Sequence, residues 1–143
     1  MKRLIILLAI ILPLSAMAQT PTFESLFKEY STKNECTTIN ISNTMLKSMG
    51  VSIDAENMQV ISVQNEALIP TFRVQAHEAL KGFEVIMTVN SGGKSVEICQ
   101  QSNYQGNIVD IYILACSNED CVLMHVYGKN LELDNVSSLM NNL

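Results

Sequence analysis

The chain predicts an α+β fold: one domain with a largely antiparallel sheet of about six strands, helices mainly on one face, in the order αβαβαββββα. Three observations lead there. Apolar side chains recur at helical spacing in two separate stretches of the first half. The second half is a series of alternating, β-branched-rich runs divided by short turns. No repeat, low-complexity tract or linker interrupts residues 19–143, which suffice for one core and are too few for two ordinary ones.

Residues 1–18 stand apart from that domain. Lys2 and Arg3 precede an unbroken apolar run over residues 4–12, followed by Pro13, Ser15 and the small-x-small triplet Ala16-Met17-Ala18. This is the pattern of a cleaved signal peptide, with the cut expected between Ala18 and Gln19. The run is too short to span a bilayer comfortably, and no later segment would stop transfer. Gln19 is not the cysteine that carries lipid in a bacterial lipoprotein, so the mature chain is expected to be soluble, in the periplasm or outside the cell.

The first helix is expected over residues 22–31, with Phe23, Leu26, Phe27 and Tyr30 as its apolar stripe and Pro21 suiting its first turn. Thr37-Thr38-Ile39-Asn40-Ile41 alternates as a strand. Ser42 then caps a short helix over residues 43–49, stopped by Gly50. Residues 58–63 form a second strand. Residues 70–81 form a helix with Phe72, Ala76, Ala79 and Leu80 inward, His77 outward and Gly82 at its end. The β-rich part opens with residues 83–89, whose Phe83, Val85, Met87 and Val89 are placed on one face. Asn90-Ser91-Gly92-Gly93 supplies a hairpin turn. No helix follows that Gly pair, so it is not a phosphate cradle. Residues 94–101 return with Val96 and Ile98 inward, and the chain turns again around Gly106. Residues 109–116 and 121–127 form the last two strands. A final helix from Asp134 is expected to pack Val136, Leu139, Met140 and Leu143.

Removing Lys2 and Arg3 with the leader leaves seven Lys/Arg against fourteen Asp/Glu, a formal charge of −7. That balance argues against nucleic acid, where cationic contacts to phosphate dominate, and against docking on an anionic membrane. With no Trp and few aromatics, a sugar-stacking platform is not expected either. The even cysteine count (Cys36, Cys99, Cys116, Cys121) in an exported chain favours disulfides. No Cys-x-x-Cys motif supports thioredoxin-like chemistry. Cys116, Cys121 and His125 lack a fourth ligand for zinc, and Asn118-Glu119-Asp120 fits no calcium loop. No metal or cofactor is expected. In a bacterial chain the Asn-x-Ser triplets at Asn40 and Asn135 carry no glycan.

A four-residue loop, Ser117-Asn118-Glu119-Asp120, would set Cys116 opposite Cys121, within disulfide reach. Counting back, Leu114 faces Leu123, Tyr112 faces His125 and Asp110 faces Tyr127. The other side pairs Ala115 with Val122, Ile113 with Met124 and Ile111 with Val126. That wholly apolar side is the one expected beneath the helices. By the same parity all four cysteines project from the opposite, open face. The natural pairs are then Cys116–Cys121 and Cys36–Cys99, the second requiring the first and fourth strands to be neighbours. Asp110, Tyr112, His125 and Tyr127 share that face as a candidate binding patch, an arrangement that a plain amphipathic sheet surface would also give. No motif places a nucleophile beside His125, and no G-x-S-x-G segment exists.

The pattern resembles a family of small exported proteins of Gram-negative bacteria, the domain of unknown function 4252. The residues that carry the resemblance are Phe23-x-x-Leu26-Phe27-x-x-Tyr30, then Thr38-Ile39-Asn40-Ile41-Ser42 with Met45-Leu46. Gly82-Phe83-Glu84 follows, and Gly128-x-x-Leu131-x-Leu133 leads into Val136 and Leu139. The resemblance covers nearly the whole mature chain but brings no catalytic residue, and the four cysteines are not part of its pattern. The expected function is a non-enzymatic exported domain that binds an envelope protein partner through its open sheet face or an edge strand. The alternatives are a small-molecule or lipid carrier with a pocket between helices and sheet, and a hydrolase using His125 and Asp110 in a deep pocket.

Overall fold

The computed structural model describes residues 20–50 and 55–132; the leader and the helix expected from Asp134 lie outside them. Its elements are α1 (Phe23–Tyr30), β1 (Cys36–Ser42), α2 (Asn43–Ser48), β2 (Ala55–Val63), α3 (Ile69–Leu80), β3 (Glu84–Ser91), β4 (Lys94–Ser102), β5 (Ile108–Cys116) and β6 (Cys121–Gly128). The six strands form one antiparallel sheet in the order β1-β2-β6-β5-β4-β3. After β2 the chain runs through α3 to the far edge, and β3 to β6 then return strand by strand until β6 pairs with β2.

Local chemistry sets the helix ends. Thr22, not Pro21, is the N-terminal boundary of α1: its hydroxyl accepts the Ser25 amide at 3.2 Å while the Ser25 hydroxyl accepts the Thr22 amide at 2.9 Å. This reciprocal cap satisfies two amides that the first turn would otherwise leave unpaired, which places Pro21 outside the helix. Ser42 caps α2 through the Met45 amide. Helix α3 begins at Ile69, one residue ahead of Pro70, after Asn65 has accepted the Ala67 amide. The β3–β4 hairpin turns on Gly92 and Gly93, both at positive φ (56° and 83°), the two-residue turn whose twist matches paired strands.

The β5–β6 register agrees pair for pair with the four-residue loop, from Cys116 opposite Cys121 to Asp110 opposite Tyr127. The faces are the reverse of those expected. Helices α1 and α3 cover the side carrying Cys99, Tyr112, Leu114, Cys116, Cys121 and Leu123, packing Phe23, Leu26, Tyr30, Phe72, Ala76 and Leu80 against it. The aliphatic side, with Ile98, Ile111, Ile113, Met124 and Val126, packs instead with Leu46 of α2 and with Leu131. Leu114 and Leu123 are each 3% exposed or less, so both sheet faces are core. An all-apolar face identifies a buried side, not the side that takes the longer helices.

Two further expectations are corrected. A bulge between Val85 and Met87 divides the row assigned to one face: Val85 pairs with Cys99 on the α1/α3 side, whereas Met87 and Val89 pair with Ile98 and Val96 on the other. Second, Cys36 and Cys99 are free. All four cysteines do share a face, but β1 and β4 are separated by β2, β6 and β5, a span of roughly 19 Å at the usual strand spacing. No disulfide closes that distance. The Cys116–Cys121 bond is present, with Cα atoms 4.0 Å apart.

Candidate functional site

Of the four residues expected to form an exposed patch, three come together beneath α1. The residue pairing places Tyr112 directly opposite His125 and Asp110 diagonally from it. His125 Nε2 lies 2.7 Å from Asp110 Oδ1, and the two side chains are only 17% and 16% exposed. An ionised carboxylate can only accept, so His125 Nε2–H is the donor in this contact. Tyr127 keeps its place opposite Asp110 but stays at the margin, 44% exposed.

Aromatic rings fix the imidazole from the other side. Tyr112 stacks on His125 with centroids 4.4 Å apart and planes within 7°. Phe83, just beyond α3, stacks on the far side of the pair against Tyr112 at 4.7 Å. Phe23, in the first turn of α1, tilts against Tyr112 and His125 at 6.0 and 5.2 Å. Burial, then the nearby carboxylates of Asp110 and Glu24, push the Tyr112 hydroxyl up to about 12. Phe23 and Phe83 are readable in the sequence as apolar positions; their role at this site becomes visible only once α1 is placed on the His125 face.

Where the N-terminal end of α1 and the C-terminal end of α3 part, they leave a cleft of about 300 Å³ lined by Thr22, Phe23, Glu24, Gln59, Ala79, Phe83, Tyr112 and His125. Thr22 is the sole aliphatic hydroxyl among these, and its oxygen is occupied by the Ser25 amide. The arrangement leaves room for a compact molecule beside an imidazole. Among the lining residues there is no thiol and no aliphatic hydroxyl besides Thr22.

Of Cys116, Cys121 and His125, considered for zinc, both sulfurs are in one disulfide, and among the described residues no group of three His, Cys, Asp or Glu side chains is placed to hold a metal ion. Among the described residues no helix is long and apolar enough to cross a membrane.

The sheet edges form a second region of interest. Helices α1 and α2 both pack against β1, whereas β3 packs chiefly on β4. Every residue of β3 except Ile86 is exposed, including Val85, Met87 and Val89 at 54%, 49% and 46%. An exposed edge of this kind presents unpaired backbone donors and acceptors beside apolar side chains.

Comparison with curated proteins and with solved structures found no match to either. Comparison with protein families found one over residues 30–139, a span from Tyr30 at the end of α1 through every strand. The chain belongs to the family described as Domain of unknown function (DUF4252).

Proposed function

We propose that the protein is a non-enzymatic domain, exported by its cleaved leader to the periplasm or beyond, that binds an envelope protein through the edge strand β3. The observation that carries this reading is the exposure of β3 along nearly its whole length. An extended segment of the partner would pair with its free backbone groups, the recognition mode of strand addition. Alternate apolar side chains of that segment would continue the rows of Met87 and Val89. The Asp110, Tyr112 and His125 trio is too enclosed beneath α1 to serve as a protein-docking surface, which favours the edge strand over the sheet face of the two surfaces expected.

A photo-crosslinker at Thr88 on β3 should trap one defined partner in the envelope, while the same group at Asn40 on the opposite edge should not. The double variant Met87→Lys, Val89→Lys should abolish the adduct and leave thermal stability within the scatter of exposed surface changes, about 0.5 kcal/mol. Equal trapping from both edges would defeat the proposal.

The carrier alternative is favoured by one observation, the cleft beside His125, whose volume suits a compact molecule better than an acyl chain.

A further inference from the structure

We propose that the cleft between the N-terminal end of α1 and the C-terminal end of α3 binds a compact organic cation, an ammonium-type head on an apolar body of about one ring. Its volume, about 300 Å³, lies at the small end of ligand sites, which are mostly apolar with a few placed polar groups. Phe23, Phe83, Tyr112 and His125 furnish the apolar wall, and Ala79 leaves the space that a larger side chain would fill.

Charge selects the head group. Glu24 lines the cleft, and Asp110 stands behind His125 at 2.7 Å; no lysine or arginine is among the lining residues. The C-terminal end of α3 adds the negative end of a helix, while the positive end of α1 is already met by the Thr22–Ser25 cap and by Glu24 itself. Gln59, directly across from His125 in the sheet, also lines the cleft with a side-chain amide that can accept through its oxygen. An anion entering here would meet the Glu24 carboxylate, with Asp110 behind His125, and a neutral molecule would make no ion pair with Glu24. The cleft belongs to α1, α3 and the α1/α3 face of the sheet, so this site stands or falls independently of partner binding at β3.

The test compares three probes of equal ring and chain length, phenethylamine, 2-phenylethanol and phenylacetate, by chemical-shift titration of the purified protein. Phenethylamine should give saturable shifts centred on Phe23, Phe83, Tyr112 and His125. It should bind up to about fivefold tighter than 2-phenylethanol, the upper end of the scale for one exposed ion pair, with phenylacetate weakest. Glu24→Gln, a change at an exposed first-turn position, should erase the preference for the amine while lowering the melting temperature only slightly, by the loss of one carboxylate at the N-terminal end of α1. Ala79→Leu should fill the cleft and abolish binding of all three. The proposal is overturned if phenylacetate or 2-phenylethanol binds as tightly as the amine. Shifts that centre elsewhere, or no saturable shift with any probe, overturn it equally.

Discussion

Beneath α1 and α3 the buried sheet residues include an aromatic ring, a thiol and a disulfide, with an imidazole beside them; the buried residues of the opposite side are aliphatic and methionine side chains. Cys99, Tyr112, Cys116, Cys121 and His125 belong to the first face, and Met58, Ile98, Ile111, Ile113, Met124 and Val126 to the second. Both are buried, so apolarity does not distinguish them. Polar atoms do. A tyrosine hydroxyl or an imidazole taken from water must find a partner or lie at a boundary, and the gap between α1 and α3 provides that boundary. The buried residues of the aliphatic cluster carry no such obligation; beside them Gln100, opposite Ile111, donates its amide to Glu84 and keeps a buried, unpartnered Oε1.

The sharpest way to break this comparison uses one substitution on each side. Ile61 lies on the α1/α3 face and Ile111 on the other, and both are fully buried. Ile61→Ala and Ile111→Ala should each lower unfolding free energy by about 2–5 kcal/mol in urea titrations, the range for truncating a buried aliphatic side chain. A loss under about 1 kcal/mol for Ile111→Ala alone would mean that the second face is not core.

Alkaline pH should separate the faces. Burial, and then Glu97, raise the Cys99 thiol from 9.0 to about 11, while burial and neighbouring acids hold the Tyr30 and Tyr112 hydroxyls at about 12. All three belong to the α1/α3 cluster, and the buried residues of the opposite cluster include no titratable side chain. A folded-state value above the unfolded one gives stability that is complete below the unfolded value and is lost as pH rises toward the folded one. Between pH 9 and 11 Cys99 should therefore cost about 2–3 kcal/mol. Cys99→Ala should flatten that part of the profile, and an unchanged slope would detach the effect from this thiol.

A smaller effect is expected at the hairpin. Replacing Cys116 and Cys121 together by alanine should cost about 2 kcal/mol by loop-closure entropy and leave the β5–β6 pairing intact. Amide exchange across Leu114 and Leu123 would check this, since loss of their protection would show that the crosslink sets the register rather than merely securing it.

The order of elements and the β5–β6 register were legible because both are local. Side-chain parity is strict along a strand, and a four-residue loop leaves one alignment of Cys116 with Cys121. The site was legible only in part: Asp110, Tyr112 and His125 follow from that register, but Phe23, Phe83 and the cleft depend on which face α1 covers. Nothing local encodes that choice when Leu114 and Leu123 make one side as apolar as Ile113 and Met124 make the other. Strand order was hidden for the same reason, and with it the separation of Cys36 from Cys99. The bulge at Val85 was hidden differently, because a run of Val, Met and Val looks the same with or without an extra residue.

The place of β6 has a consequence for how the molecule assembles. It comes after every other described strand in the chain, yet it stands between β2 and β5. A polypeptide emerging N-terminus first can form the β1–β2 hairpin and the β3–β5 meander as separate pieces, each with an unfilled flank. Only the arrival of residues 121–128 joins them, and pairings so distant in sequence are the slow ones to form. The core therefore closes only after residues 121–128 are free, and a strand inserted at that step has no partial substitute.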